Sequence, residues 1–237
     1  MINQLKQAID KANKIVFFTG AGMSTDSGIP DFRSATGIYT NNLRAEEIIS
    51  HHFFMENPEE FYDFYKDKMV FEEALPNYGH LFISELEKTN KDITVVTQNI
   101  DGLHQLAGSK KVYELHGSIH RNYCMKCNTF YPLKKIIVSN GIPKCDKCGG
   151  IVKPDVVLYE EGLDGETIEN AIKAISEADL MIILGTSLNV YPAASFVRYF
   201  RGDCLAIINK SATPADNECD IVIHEGISET FKQIKEL

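Results

Sequence analysis

Residues 17–34 read Phe17-Phe18-Thr19-Gly20-Ala21-Gly22-Met23-Ser24-Thr25-Asp26-Ser27-Gly28-Ile29-Pro30-Asp31-Phe32-Arg33-Ser34. The apolar run that leads into them, from Lys14 to Phe18, predicts a short buried β-strand because it is rich in β-branched and aromatic residues. Gly20 and Gly22 allow the backbone to turn sharply and to approach a bound group without a Cβ clash. A helix beginning near Met23 would direct free N–H groups and its positive dipole end at a phosphate. We therefore expect a dinucleotide site here.

The glycine pattern departs from the Gly-x-Gly-x-x-Gly fingerprint, since Thr25 stands where the third glycine is expected. A short glycine pattern by itself also occurs in ordinary strand-to-helix turns. The loop from Ser27 to Ser34, however, combines two backbone breakers with an acid, an aromatic ring and a base. This assortment favours ligand binding over a plain surface loop.

Length and charge limit the class of protein. A chain of 237 residues suffices for one large domain, or for a domain with a modest insertion. The formal net charge of −9 argues against nonspecific binding to nucleic acid or anionic membranes, and it would suit a basic partner such as a lysine-rich peptide. The sequence has no apolar run as long as a membrane span and no signal-peptide layout, so we expect a cytoplasmic protein.

Strand-like apolar runs alternate with stretches of helical periodicity along the chain. Further strands are predicted at 93–97, 156–159, 180–184, 205–208 and 221–223. Helices are predicted at 2–13, 77–88, 165–177, 192–201 and 228–236, with several short helices between 35 and 75. In the helix at 77–88, Leu81, Phe82 and Leu86 are expected on the inner face. This alternation predicts an α/β fold with a parallel sheet covered on both faces.

Polar side chains follow the points where predicted strands end. Gln98, Asn99 and Asp101 come after the strand at 93–97, and His116 ends the next one. Ligands of open α/β sheets bind at the carboxyl ends of strands, so these side chains suit a ribose and an amide. A turn that caps a helix would explain Asn99 or Asp101 but not the whole set. With an ordinary pKa of about 6.5, His116 can accept a proton near neutral pH.

Two Cys-x-x-Cys knuckles, separated by seventeen residues, lie at Cys124–Cys127 and Cys145–Cys148. Four thiolates at this spacing surround one zinc ion tetrahedrally, and protein then fills every ligand position. We therefore expect a structural zinc bound by Cys124, Cys127, Cys145 and Cys148. A redox role is disfavoured because it would not need two separate pairs. His51 and His52 are expected to pack rather than to bind metal.

Taken in order, these motifs closely resemble those of the sirtuins, the NAD-dependent protein-lysine deacylases. The shared segments are Gly20-Ala21-Gly22-x-Ser24, Gly28–Ser34, Thr97-Gln98-Asn99-Ile100-Asp101-x-Leu103-His104, Leu115-His116-Gly117, the four cysteines, Lys153–Val157, Gly185-Thr186-Ser187-Leu188 and Ile208-Asn209-Lys210. The resemblance implies a Rossmann-like NAD-binding domain at 1–34, 76–120 and 153–237. It implies a small domain made of a helical insertion at 35–75 and a zinc-binding module at 121–152.

The resemblance also implies roles for single residues. His116 matches the general base, with Asn99 and Asp101 as catalytic residues beside it. NAD binding is expected of Gly20, Ala21, Gly22, Thr25, Asp31, Phe32, Arg33, Gln98, Asn99, Ile100, Asp101, Gly185, Thr186, Ser187, Asn209, Lys210 and Ile227. The implied reaction transfers an acetyl group from lysine to ADP-ribose with release of nicotinamide, so NAD is a co-substrate. The implied partners are acetyl-lysine proteins or peptides, without a membrane or direct nucleic acid contact.

Two departures from the family pattern concern the substrate. Glu160 stands where the family usually has glycine, which lets a peptide backbone lie flat against the chain. Family members that prefer succinyl or malonyl groups carry a Tyr-x-x-Arg pair, whereas this chain has Tyr62-Asp63-Phe64-Tyr65. The absence of the arginine favours acetyl or other neutral acyl groups.

Two alternatives to a deacetylase stay open. One is a protein mono-ADP-ribosyltransferase on the same fold, which loss of the base would favour, whereas His116 is present. The other is a zinc-ribbon nucleic-acid-binding protein, which would need a basic face, whereas this chain is acidic.

Overall fold

The chain folds around an all-parallel β-sheet, and the computed structural model describes residues 1–32, 34, 37–41 and 44–237. With strands numbered along the whole chain, this sheet contains β1 (Lys14–Thr19), β2 (Asp92–Thr97), β3 (Val112–Glu114), β7 (Leu180–Leu184), β8 (Cys204–Ile208) and β9 (Ile221–Ile223). The spatial order is β3-β2-β1-β7-β8-β9, and each neighbouring pair is parallel. The predicted α/β class is confirmed.

Helical segments cover both faces of this sheet. The first face carries α1 (Ile2–Lys11), α6 (Tyr78–Leu86) and α10 (Ile227–Glu236), with α7 (Leu103–Ala107) packed against α6. The second face carries α9 (Gly165–Glu177) and a 3₁₀ segment at Ala193–Tyr199. Because successive strand residues point to opposite sides, Phe17 joins the first core and Phe18 the second. None of the helices in the described parts of the chain is long and apolar enough to span a membrane.

The remaining elements form a small antiparallel sheet and a group of short helices. The sheet, in the order β5-β4-β6, consists of β4 (Gly117–Cys124), β5 (Phe130–Pro132) and β6 (Val152–Val156). The helices are α2 (Ile38–Asn41), α3 (Ala45–Ile48), α4 (His51–Glu56), α5 (Pro58–Lys68) and α8 (Leu133–Val138). Phe54 and Phe61 from the helical insertion share a core with Ile136 and Val152. Since β4 runs across the predicted junction at residue 120, the division into domains stays a prediction.

The run at 156–159, which we predicted as a strand of the main sheet, takes another position. The last strand of the small sheet, β6, ends at Val156. Beyond it, the N–H of Val157 donates to the carbonyl of His116, and the backbone of Tyr159 pairs with the helical insertion. Apolar composition indicated an extended segment, but the backbone partners place it between the two parts of the molecule.

Two helix predictions are wrong in detail. Leu81, predicted on the inner face of α6, is 45% exposed. The inner face instead carries the next two residues, Phe82 and Ile83, which are buried. The α-helix predicted to begin near Met23 is absent from this described segment. It is replaced by two 3₁₀ turns, Ala21–Met23 and Thr25–Ser27. Gly28 ends the second turn with a left-handed φ of +85°, which stops helix growth.

The glycine loop after β1 packs directly on the backbone that leaves β7. The N–H of Gly22 donates to the carbonyl oxygen of Gly185 at 2.8 Å. A Cβ on Gly22 would lie 2.7 Å from the Cα and 2.8 Å from the carbonyl oxygen of Gly185. Gly185 also has a left-handed φ of +58°. Two glycines are therefore required where these two backbones meet.

We expect Gly22→Ala to lower the free energy of unfolding by about 1–3 kcal/mol, because its Cβ overlaps backbone atoms that cannot rotate away. Urea unfolding at constant m-value measures this change. Gly162→Ala is the matched control, since a Cβ there would have no atom of the described residues within 4 Å, and it should stay within about 0.5 kcal/mol of the parent. Equal stability of the two variants would contradict the packing argument.

Candidate active site

The ends of β1, β2 and β7 are connected by backbone hydrogen bonds at one edge of the sheet. The N–H of Gly20 donates to Leu184 O at 3.0 Å, and the N–H of Gln98 donates to Thr19 O at 2.9 Å. The side-chain amide of Gln98 also donates to the hydroxyl of Thr186, 3.2 Å away. Residues predicted from three separate strand ends therefore meet at one place.

Ser24 links the two predicted catalytic residues of the β2 end. Its hydroxyl, which is buried, donates to the Asp101 carboxylate at 2.6 Å and accepts from the Asn99 amide at 3.2 Å. The same amide donates to Gly20 O at 3.1 Å. Removal from water raises the pKa of Asp101, and hydrogen bonds from Ser24 and from the Leu103 N–H oppose that rise. Asn99 and Asp101 are thus held in fixed orientations.

Ser24 is absent from the set of site residues predicted above. The sequence carried a signal for it, because Ser24 belongs to the glycine-loop motif that the family shares. Its role depends on a contact across 77 residues of chain, which only the fold reveals.

His116 follows β3 in the turn before β4 and lies half-buried at the same edge. Its Nδ1 lies 2.9 Å from the carbonyl oxygen of Gln98. A carbonyl can only accept, so Nδ1 carries the proton and Nε2 has the free lone pair. Burial lowers the pKa of His116, although the bond to Gln98 partly opposes this. The ring is therefore neutral at pH 7 and able to accept a proton at Nε2.

The other residues predicted to bind NAD fall into two groups. Near the strand ends, Thr25 donates to Gly22 O at 3.1 Å, Asp31 accepts from the Ser34 N–H at 2.8 Å, and Phe32 packs on Tyr39. Ala21, Ile100 and Ser187 are half-buried at the same edge, and Arg33 lies outside the described residues.

The second group lies at the ends of β8 and β9. Asn209 donates from its backbone to Ile223 O, and its side chain donates to Ser211 O at 2.6 Å. The Lys210 side chain passes next to Gly226, and Ile227 begins α10. Ile227 is 7% exposed and packs beside Gly79, so it offers little surface to a ligand. The individual roles of both groups stay predictions.

The four predicted zinc ligands lie together, as the spacing indicated. All four Sγ atoms are within 4.8 Å of one another, and the closest pairs are 3.3–3.6 Å apart. Four thiol donors in so compact a group suit Zn²⁺. The Tyr131 hydroxyl donates to Cys145 Sγ at 3.2 Å and lowers the pKa of that thiol to about 6. The thiolate that a metal requires is thereby favoured.

Glu160 has a backbone conformation that explains why a glycine would fit there. Its φ of +77° lies in the left-handed region, which costs a residue with a Cβ about 1–2 kcal/mol. Its carboxylate accepts from the N–H of His52 at 3.0 Å and from His52 Nδ1 at 2.7 Å. The neighbouring Glu161 similarly accepts from His51 at 2.9 Å. The two histidines thus tie α4 to the loop after β6 through carboxylates.

Tyr62 and Tyr65, in the positions of the Tyr-x-x-Arg pair, are fully buried in the core of the small sheet and insertion. The Tyr62 hydroxyl donates to Val152 O at 2.7 Å, and the Tyr65 ring stacks on Phe61. Burial raises the pKa of both phenols, so both are neutral. Neither supplies a cation for an acidic acyl group.

We expect about one zinc per chain, and Cys145→Ala should release it and unfold the small sheet region. The reason is that a zinc site of this kind contributes roughly 10–16 kcal/mol of apparent binding free energy to folding. Metal analysis by mass spectrometry and thermal unfolding measure both effects. Cys204→Ala, which removes a half-buried thiol outside the cluster, is the control and should keep its zinc. A stable Cys145→Ala protein that retains one zinc would contradict the assignment.

Comparisons with known proteins agree with this geometry. The family model described as "Sir2 family" matches residues 20–192. An NAD-dependent protein deacetylase of Clostridium acetobutylicum is 57% identical, covering 98% of this chain and 97% of the relative, and one of Clostridium perfringens is 56% identical over 98% of each. A solved structure of Sir2 with a p53 peptide and NAD+ has a TM-score of 0.88 at 38% identity, over 100% of this chain and 98% of that one. The chain belongs to the Sir2 family, the sirtuins.

Proposed function

We propose that this protein is an NAD-dependent protein-lysine deacetylase that transfers the acetyl group of acetyl-lysine to ADP-ribose. The observation that carries the proposal is the placement of His116, with Nε2 free, at the sheet edge that also holds Asn99 and Asp101. The curated relatives at 57% and 56% identity bear the same activity in their names. A solved Sir2 structure contains an acetylated peptide, which supports acetyl-lysine as the substrate.

In this proposal, NAD lies along the carboxyl ends of the strands. The turns from Gly20 to Phe32 receive the pyrophosphate side, because the short side chains of Ala21 and Thr25 leave room for it. Thr186 and the group at Asn209 and Lys210 receive the adenosine side. Asn99 and Asp101 face the nicotinamide ribose, and Ser24 fixes both of them.

The first chemical step needs orientation rather than proton transfer. The acyl oxygen of acetyl-lysine attacks C1′ of the ribose as the bond to nicotinamide breaks, giving an alkylamidate and free nicotinamide. Holding the two reactants in line supplies much of the rate in such a step. Asn99 and Asp101 do this work, since hydrogen bonds already fix their side chains.

The second step uses His116. Its Nε2 accepts a proton from the ribose hydroxyls, so that a ribose oxygen attacks the amidate carbon. The Gln98 carbonyl keeps the opposite nitrogen protonated and so sets the tautomer required. The bond from the former amidate carbon to the lysine nitrogen then breaks and releases free lysine, and addition of one water molecule to the remaining cyclic intermediate gives O-acetyl-ADP-ribose. The zinc takes no part in these steps, because four cysteines fill its coordination sphere.

The proposed partners are acetylated proteins, whose lysine-rich segments suit a chain with a net charge of −9. We place the enzyme in the cytoplasm. None of the six cysteines forms a disulfide, and four of them form the zinc cluster. Unpaired thiols of this kind fit a reducing compartment.

Incubation with NAD and matched acyl-lysine peptides tests the function directly. Mass spectrometry should detect deacetylated peptide, nicotinamide and O-acetyl-ADP-ribose in equal amounts. Acetyl-lysine should have a far higher kcat/KM than succinyl-lysine, because no arginine at position 65 offsets desolvation of the succinyl carboxylate. Transfer of ADP-ribose to protein without deacetylation would instead identify a mono-ADP-ribosyltransferase.

His116→Ala should separate the two steps. Loss of a positioned base costs about 10²–10⁴ in rate, so deacetylation should nearly disappear. Exchange of labelled nicotinamide into NAD, dependent on acetyl-peptide, should survive much better because it precedes proton removal. Asn99→Ala is the contrasting variant and should depress both activities together. Equal loss of exchange and deacetylation in a folded His116→Ala protein would remove His116 from the role of base.

A further inference from the structure

Two histidines that the proposed mechanism does not use lie fully buried next to the candidate active site. His80 in α6 and His104 in α7 are 0% and 1% exposed, and their ring centroids are 4.7 Å apart. On each ring, one nitrogen has a hydrogen-bond partner and the other has none within the described chain. A buried polar group without a partner costs about 1–3 kcal/mol, so the pair calls for an explanation.

The tautomer of His80 follows from its single partner. Nδ1 lies 3.3 Å from the backbone nitrogen of Asn77, whose N–H can only donate. Burial lowers the pKa of His80 to about 4, which keeps the ring neutral at pH 7. A neutral ring that accepts at Nδ1 carries its proton at Nε2. The unpartnered atom of His80 is therefore a hydrogen-bond donor.

The tautomer of His104 follows from the hydroxyl beside it. Nε2 lies 3.2 Å from Thr19 Oγ1, and the Thr19 hydroxyl donates its own proton to Thr97 Oγ1 at 2.8 Å. Thr19 can therefore only accept from His104, which places the proton at Nε2. Burial, and then the neighbouring His80, lower the pKa of His104, so this ring is neutral as well. Its unpartnered Nδ1 is a hydrogen-bond acceptor.

The two unpartnered atoms are thus complementary, because His80 offers a donor and His104 an acceptor. The rings already meet edge to face at an angle of 61°. Within the described chain neither atom has a hydrogen-bond partner, so the two rings meet through this packing contact and not through a hydrogen bond. The continuous series of hydrogen bonds starts at His104 and runs through Thr19 to Thr97.

The other end of this series reaches the site. Thr97 Oγ1 also accepts from the backbone N–H of Asn99 at 3.0 Å. Thr19 and Thr97 are register partners at the ends of β1 and β2 and are almost fully buried. The side chain of Asn99 extends from this anchored backbone to Gly20 O and Ser24. The series therefore ends on a residue that we place against the nicotinamide ribose.

The geometry points to His104, with His80 packed on it, as a positioning residue for the proposed deacetylation: a ring protonated at Nε2 that holds the backbone of Asn99 through Thr19 and Thr97. The pair does not touch the reacting atoms. It sets the orientation of Asn99, and so the alignment of NAD with the acyl oxygen. This inference rests on the proposed function for its kinetic consequence, but the tautomers can be measured without any activity.

Ring ¹⁵N chemical shifts test the series of hydrogen bonds directly, since they distinguish a protonated nitrogen from a bare one. At pH 7, the spectra of the full-length protein should show both rings protonated at Nε2, with His104→Gln used to assign the second ring. Thr19→Val should shift the His104 signals. Thr94→Val, a buried threonine of β2 outside the series, should leave them unchanged. Protonation of His104 at Nδ1, or no response to Thr19→Val, would overturn the inference.

Kinetics test the consequence for Asn99. His104→Leu and Thr19→Val should each lower kcat for deacetylation and for nicotinamide exchange about tenfold, as expected for misaligned reactants. His104→Gln should recover most of kcat, because its side-chain amide offers an N–H close to the position of Nε2. Thr94→Val should stay within about twofold, and melting temperatures should verify that all variants are folded. Equal impairment of His104→Gln and His104→Leu, or a wild-type kcat in Thr19→Val, would overturn the inference.

The two measurements also separate this inference from the proposed function. A wild-type protein without deacetylase activity would refute the function, while the ¹⁵N chemical shifts would still determine the ring tautomers and so test the inference. An active enzyme with the wrong tautomers would refute the inference alone.

Discussion

The close contact between Gly22 and Gly185 is the constraint on which the site depends. Two backbones meet where a Cβ on either residue would overlap main-chain atoms. This contact holds the loop after β1 over the end of β7, and the loop in turn brings Ser24 to Asn99 and Asp101. A glycine loop usually indicates room for a ligand. Here the missing side chain of Gly22 makes room for Gly185 at the end of β7, and this contact sets the position of the candidate ligand site.

Burial at this edge of the sheet shifts the pKa values of the titratable side chains. His116 is kept neutral by burial, and its bond to Gln98 places the proton on Nδ1 and leaves Nε2 unprotonated. Asp101 is removed from water yet held by Ser24 and by the Leu103 N–H. Deeper in the molecule, His80 and His104 are both neutral because burial lowers their pKa values. Burial therefore leaves one half-buried ring with an unprotonated nitrogen at the sheet edge and two fully buried neutral rings behind it.

The helical insertion and the small antiparallel sheet have a core of their own and are connected to the main sheet through the loop after β6. This core joins aromatic side chains of the insertion to the sheet that carries the zinc cysteines. The loop after β6 crosses from this part to the main sheet, and Glu160 takes a left-handed conformation there. Two hydrogen bonds to His52 offset the conformational cost. A glycine would avoid that cost but would lose the connection to α4.

The sequence by itself determined the strands of the main sheet, because both faces are buried and the strands are continuous apolar runs at 14–18, 93–97 and 180–184. It also determined the zinc cluster, whose ligands come in two short, regular pairs. Only the tertiary structure decided the sheet to which 156–159 belongs, the role of Ser24 and the pairing of His80 with His104. These features depend on partners that are distant along the chain, and local composition is the same whichever partner a residue meets.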